Sequence, residues 1–395
     1  MTKERKIILA TSAIGFMSMG GMVISPALAS IVESFSDIPT IFVQMLVTVP
    51  SIMMVPASLT SSLLNRSFSS KRIFEVCLLA LVLSGIFPFI FKSFIVVFLS
   101  RVSVGIAIGI MTPLAIALIN NFFVGRDKDS VMGIYTAISS LGGASMVLIG
   151  GVVVNYGWKY NFLVYLLALV SFFIVLTCCP SSDKCIITSK EENKDGTNII
   201  NSTLIYICIV LFIYMAFLNT FPPNIALFIQ GEGIGSSTMC GAASSLFLIS
   251  SFISGLLYGK LKYLFRQYNL VLGIAITAIG VLSIANAYNA FFVILGSIGG
   301  GFGMGIVLSE GNVIAGNSVP AEKVTAAIAI ETSSHRFAQF MTTFLVNPIA
   351  TSIFGKEVVR GRFFVSAVVL CGWTLIILLI TFFYSKIRYK KKQCM

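Results

Sequence analysis

Apolar runs of about 20 residues recur along the whole chain, parted by short polar breaks. A helix needs roughly 20 mainly apolar residues to cross the hydrocarbon core of a bilayer. The pattern therefore predicts helices over 7–31, 40–64, 73–91, 94–121, 131–154, 159–179, 199–221, 237–258, 268–289, 290–316, 323–353 and 362–385. Only Asn286 to Asn289 divides the ninth from the tenth. The longest polar stretch, 180–198, falls between the sixth and seventh helices and reads as a linker. The expected domains are a six-helix bundle over 1–180, a cytoplasmic linker over 181–198 and a second six-helix bundle over 199–395. The expected fold class is an all-α membrane protein, with twelve transmembrane helices in two pseudo-symmetric six-helix bundles.

Composition agrees. Hydrophobic residues make up 57% of the 395 and charged residues 11%, against roughly 25% charged in a soluble domain. So few charges cannot clothe a water-exposed surface. The net charge of +12 would suggest nucleic acid in a soluble protein, but here Lys and Arg gather in short loops and at the tail. With the N-terminus inside, 20 of the 27 fall on inner segments and 5 on outer ones, leaving Arg101 and Arg336 within spans. That bias places both termini in the cytoplasm and excludes nucleic acid as a partner. Lys3, Arg5 and Lys6 before an apolar run, with Ala27-Leu28-Ala29 after it, mimic a signal peptide. The run is too long for a signal core and many spans follow, so it is taken as the first transmembrane helix. Compact loops and no targeting extension point to a bacterial cytoplasmic membrane.

Several chemistries are disfavoured. The eight Cys form no C-x-x-C pair and His335 is the only His, so no metal site, disulfide framework or cofactor is expected. Gly255-Leu-Leu-Tyr-Gly259-Lys260 is one residue short of a phosphate-binding loop and lacks its Ser or Thr. The glycines from Gly299 to Gly305 lie in an apolar helix, where small residues permit close packing. A membrane-embedded enzyme would need a clustered nucleophile, metal ligands or paired acids, and none is evident.

An internal echo supports the two-bundle plan. Gly105-Ile-Ala-Ile-Gly109-Ile resembles Gly301-Phe-Gly-Met-Gly305-Ile at an offset of 196 residues. Four places then resemble the major facilitator superfamily. Arg101-Val-Ser-Val-Gly105-Ile-Ala-Ile-Gly109 is similar to its R-x-x-x-G-x-x-x-G signature. Gly157-Trp158-Lys159-Tyr160-Asn161-Phe162 is similar to its G-W-R-W-x-F turn. Ser61 through Asn65-Arg66 to Lys71-Arg72 looks like a worn G-x-x-x-D-R-x-G-R-K loop. Gly142-Gly143 and Gly150-Gly151 resemble its antiporter motif. Asn65 stands where the family has Asp, Ser61 where it has Gly, and Met146-Val147 where the antiporter motif has Gly-Pro. Helix 1 has no acid within its apolar run, unlike that of many cation exporters of the family. The resemblance implies a secondary transporter working by alternating access, with the fourth helix lining a central cavity.

Charges in a span are costly and face a cavity or a partner. Five lie away from span ends: Arg101, Glu310, Glu331, His335 and Arg336. Arg101, Gly105 and Gly109 recur every four residues and share a face. Glu331, His335 and Gln339 do the same on the eleventh helix, beside Thr332 and Arg336. Glu310 and Glu331 reach comparable depths, so a Glu–Arg or Glu–His contact between helices 10 and 11 is expected. These five are the candidates for substrate binding or coupling, a fixed structural ion-pair network being the alternative. Gly105, Gly109, Asn65 and Arg66 are conformational candidates. Gln44, Thr48, Ser51, Tyr214 and Asn219 are lesser ones, read as packing and interhelical bonding. Pro222-Pro223 is expected to end or kink helix 7.

The expected function is proton-coupled secondary transport of a small organic solute, in the efflux direction for a drug or metabolite. An uptake permease, a non-transporting sensor and a membrane-embedded enzyme are the alternatives. The expected partners are a small-molecule substrate, a proton and membrane lipid.

Overall fold

The computed structural model describes residues 3–123, 125–179, 201–319, 324–355 and 359–393. The expected linker over 181–198 lies outside the described residues. Among those described, every regular element is a helix. In order these are α1 (Lys3–Met17), α2 (Leu28–Ser34), α3 (Thr40–Ser67), α4 (Ser70–Ile90), α5 (Phe94–Phe122), α6 (Gly125–Val153) and α7 (Leu167–Cys178). Then come α8 (Ser202–Leu218), α9 (Phe221–Gly231), α10 (Ser237–Phe265), α11 (Asn269–Ala285), α12 (Ala290–Asn317), α13 (Val324–Phe354) and α14 (Val359–Gln393).

Eleven stretches are long and apolar enough to cross a membrane. One of them, Ser237–Ala285, has 49 residues, about 74 Å at 1.5 Å per residue, against a hydrocarbon core of roughly 30 Å. It contains α10 and α11, joined by the 3₁₀ turn Arg266–Tyr268, in which Arg266 takes a φ of 49°. Counted as two crossings, it restores the twelve spans the hydropathy pattern predicts.

The differences lie inside the spans and at their edges. The first span is not one helix. α1 ends at Met17, short 3₁₀ turns cover Gly20–Met22 and Ser25–Ala27, and α2 resumes at Leu28. The seventh is also broken: α8 ends at Leu218, and Pro222 and Pro223 sit in the first turn of α9. There a missing N–H costs nothing, because first-turn amides have no helical partner. α6 begins at Gly125 and α10 runs to Phe265, each several residues beyond the apolar run. A helix does not stop where hydropathy stops; it continues until a turn or cap intervenes.

By packing, the chain forms two compact units: Met1–Gly196 with Pro222–Leu248, and Thr197–Phe221 with Ile249–Met395. In the first, α5 lies against α3. A Cβ on Gly105 would come 2.5 Å from Pro50 O, and one on Gly109 2.8 Å from Met54 Cα. In the second, α12 meets α10 in the same way, a Cβ on Gly305 falling 2.2 Å from Ser251 O. Met54 and Ser251 are related by the 196-residue offset to within one residue, so the echo marks one packing seam built twice. The first unit also holds α9 and the start of α10. Gln44 Nε2 donates to Asn224 Oδ1 at 2.7 Å, Ser25 donates to Pro222 O, and Gly151 abuts Gly241. In the second unit, α11 and α12 touch backbone to backbone along Gly280, Gly296 and Gly303.

Candidate functional site

Arg101 is fully buried on α5 and belongs to the first unit. Its Nε donates to Leu46 O at 2.9 Å, and its guanidinium also donates to Gly21 O and to Tyr165 Oη. Tyr165 in turn donates to Gly20 O at 2.6 Å. Asn161, one turn earlier on the 3₁₀ stretch Trp158–Leu166, donates to Val23 O at 3.0 Å. Gly20 O, Gly21 O and Val23 O lie in the break of the first span, where the regular helical ladder is interrupted; Leu46 O lies on α3 four residues before Pro50, which has no N–H to give it. In a bilayer each would cost several kcal/mol if unpaired. Arg101, Tyr165 and Asn161 thus form a clasp over the break, and Arg101 meets backbone dipoles rather than a carboxylate. The sequence singled out Arg101 but not Tyr165 or Asn161. The legible signal was Gly20-Gly21, a paired helix-weakener inside an apolar run.

Two further motif regions have a local explanation. Gly157 takes φ +126° and ψ 146°, a region open in practice only to glycine, which is why Gly precedes Trp158 at that turn. Asn65 is buried, and its Oδ1 accepts from Ser70 Oγ at 2.9 Å across the α3–α4 turn. Lys71 Nζ donates to Leu176 O at 2.6 Å, capping the last turn of α7 where the helix dipole favours a cation. The side chain of Arg66 lies outside the described residues.

The charges of the second unit fall into two separate groups. Glu310 on α12 is buried and surrounded by donors from α10 and α11: Tyr258 Oη at 2.9 Å, Asn269 Nδ2 at 3.0 Å, and Lys262 Nζ in an ion pair. Tyr258 and Lys262 are four residues apart, on one face of α10. Glu310 is therefore engaged by Lys262 rather than by the eleventh span, and the expected cross-helix pair between Glu310 and His335 or Arg336 does not form. Glu310→Ala would leave Asn269 and Tyr258 without their acceptor and Lys262 without its counterion. Because Lys262 is 38% exposed, water compensates part of the loss. A cost of about 2 kcal/mol is expected, measurable as a lower melting temperature of the purified protein, with Glu310→Gln milder.

Glu331 on α13 is fully buried. Its Oε1 lies 3.4 Å from His335 Nδ1 one turn on, and its Oε2 accepts from Thr332 Oγ1 at 3.3 Å. The Glu–His contact is thus within one helix. Gly311 on α12 lies alongside: a Cβ there would stand 3.4 Å from Glu331 Oε1 and 2.7 Å from Leu211 Cδ1 of α8. Arg336 follows His335 within the field of Glu331. On the facing α8, Cys208 carries its thiol into the same field, and its carbonyl accepts from Ser334 Oγ at 3.2 Å. Two long hydrogen bonds are a thin solvation shell for a carboxylate out of water. Among the lesser candidates, Tyr214 Oη pairs with Thr277 Oγ1 at 2.7 Å, and Asn219 bonds back to Met215 O. Thr48 is buried without a hydrogen-bond partner for its hydroxyl among the described residues.

Fold and side-chain placement define a multi-pass, all-helical membrane protein. Residues 10–222 match the family model of the Major Facilitator Superfamily, and the chain belongs to that superfamily. Among solved structures it is similar to the nucleoside transporter NupG, with a TM-score of 0.74 and 13% identity over 95% of this chain and 99% of that one. It is also similar to the POT family transporter PepTSo, at TM-score 0.70 and 15% identity over 97% and 98%. A third is a bacterial homolog of the human lysosomal transporter Spinster, solved inward-facing and occupied, at TM-score 0.70 and 14% identity over 96% and 97%. At such identities these likenesses establish the fold alone. No curated protein matches the sequence.

Proposed function

We propose that the chain is a proton-coupled secondary transporter of a small organic solute, with Glu331 and His335 as the groups that take up and release the proton. The observation carrying the coupling is the fully buried carboxylate of Glu331, hydrogen-bonded among the described residues to Thr332 and a His one turn away. A carrier needs a group whose charge changes as access changes side, and carboxylate and imidazole titrate in the useful range. Glu310, with three donors around it, suits a fixed structural role better. The membrane is the cytoplasmic one, with both termini inside, on the strength of the 20-to-5 bias of basic residues. Export is the favoured direction, from the α5 signature and the glycine pairs of α6.

Reconstituted protein with a trapped pH-sensitive dye tests this. Candidate metabolites and drugs are added one at a time, and solute-evoked proton flux is recorded. Some solutes are expected to evoke flux that empty vesicles lack, and Glu331→Gln should reduce it at least 10-fold while the protein remains folded. Wild-type flux in both Glu331→Gln and His335→Asn would remove the coupling assignment.

A further inference from the structure

Arg336 stands beside the proposed proton site with an unusual lack of engagement. A guanidinium carries five N–H donors and stays charged at any physiological pH. Arg101, the other Arg within a span, uses its donors on three protein acceptors. Arg336 donates no hydrogen bond and joins no ion pair among the described residues, although it is only partly exposed. Among the described residues its electrostatic partner is Glu331, five positions earlier on α13, whose oxygens are turned to Thr332 and His335. The cation and the carboxylate therefore sense each other without closing on each other.

The remaining charged and titratable groups do not fill the gap. α13 packs against α8, α12 and α14. α8 offers Cys208, Tyr206 and Tyr214, the last paired with Thr277. α12 offers Glu310, already bound by Lys262. Among its described side chains α14 offers Arg360 and Arg362 in its first turn, and Cys371 further on; Arg360 donates to Ala285 O and Ala287 O. None supplies Arg336 with a second anion.

We infer that Arg336 is the solute-binding cation, that the solute carries a carboxylate, and that this anion binds when Glu331 is protonated. This rests on the coupling role proposed for Glu331. With Glu331 ionised, its field satisfies Arg336 and repels an incoming carboxylate. A proton from the bulk settles on Glu331, the repulsion ends, and the guanidinium fork is free to take a carboxylate through two parallel N–H···O bonds. Proton and anion then occupy the same state and cross together, the pair carrying no net charge. Direction follows the combined gradient, and a cell that accumulates the acid exports it with its proton.

The test uses the purified full-length protein and probes of one shape and three charges: benzoate, benzamide and benzylammonium, with lactate and succinate as further carboxylates. Thermal shift and calorimetry are run at pH 5.5 and 7.5. At least one carboxylate should bind 10-fold or more tightly at the lower pH, with benzamide and benzylammonium weaker. Arg336→Gln should lose that binding 10-fold or more, and Arg336→Lys should recover part of it. Glu331→Gln should lose most of the pH dependence of carboxylate binding, and Glu331→Gln combined with His335→Asn should bind the carboxylate equally at both pH values. If Arg336→Gln proves unfolded, the Lys variant and the pH-independence of the double variant Glu331→Gln, His335→Asn still decide. Tighter binding of benzylammonium, no binding by any carboxylate, or unchanged binding in Arg336→Gln would overturn the inference. Should no carboxylate bind while Glu331→Gln still abolishes solute-evoked proton flux, the coupling stands and only the solute class falls.

Discussion

Gly303→Val is expected to abolish the folded protein. A single Cβ at this position would stand 2.1 Å from Thr277 Oγ1 and 2.4 Å from Gly273 O. Neither atom can retreat. Gly273 O belongs to the backbone of α11, and Thr277 Oγ1 is tied to Gly273 O at 3.0 Å and to Tyr214 Oη at 2.7 Å. The remedy left is to part α11 from α12, which would open the seam at Gly280 and Gly296 as well. Lipid offers no hydrophobic drive to hold the helices together, so contact is what stabilises the seam. Ordinary overpacking costs about 1–3 kcal/mol; here at least about 3 kcal/mol is expected, more than a 100-fold shift of the folding equilibrium. The readout is the monodisperse fraction on size-exclusion chromatography with its melting temperature. Gly303→Ala should already show a large part of the loss. Wild-type behaviour in the Val variant would mean that the two helices do not need this contact.

Arg101→Ala should be nearly as severe, by a different route. Two buried acceptors and one half-buried acceptor lose their donor, and two of the three, Gly21 O and Tyr165 Oη, belong to the clasp over the broken first span. An orphaned buried polar group costs about 1–3 kcal/mol, so a loss of about 3 kcal/mol or more is expected. Transport per folded molecule should fall below a tenth of wild type, because the break loses its fixed geometry. Arg101→Lys should rescue little, since one ammonium cannot reach acceptors on three separate segments as a planar fork does. Tyr165→Phe, which removes a single link, should cost about 1 kcal/mol. Normal melting and normal transport in Arg101→Ala would refute the clasp.

The span pattern was legible because a bilayer demands long apolar runs and little else. Even Asn286 to Asn289 sufficed to part the ninth and tenth spans, where α11 ends at Ala285 and α12 starts at Ala290. The breaks were harder. Gly20-Gly21 and Ser25-Pro26 are weak helix residues, yet in lipid only the donors that take over the freed carbonyls decide whether a helix opens. Those donors come from residues 101, 161 and 165, too distant in sequence to be seen as partners. For the same reason Glu310 was recognised as a buried acid, but its ion pair with Lys262 was not. Hydropathy ended helix 8 near 258, and the helix in fact carries Tyr258 and Lys262 onward to meet it. The Glu331–His335 spacing was legible outright, because an i, i+4 contact needs no tertiary information.

The clasp also sets an order of events during synthesis. Tyr165 lies 145 residues after the carbonyl of Gly20 that it satisfies. At about 5–20 residues per second, a ribosome needs roughly 7–30 s to make that stretch. Until that interval ends the first span lacks the Tyr165 and Asn161 links of its clasp, and before Arg101 is made it lacks the guanidinium as well. A span in that condition gains from staying in the insertion machinery, or in its vestibule of water, until the fourth and sixth spans arrive. Slow or failed delivery of residues 158–166 would therefore be felt first at the opposite end of the same bundle, as an N-terminal helix that slips back out.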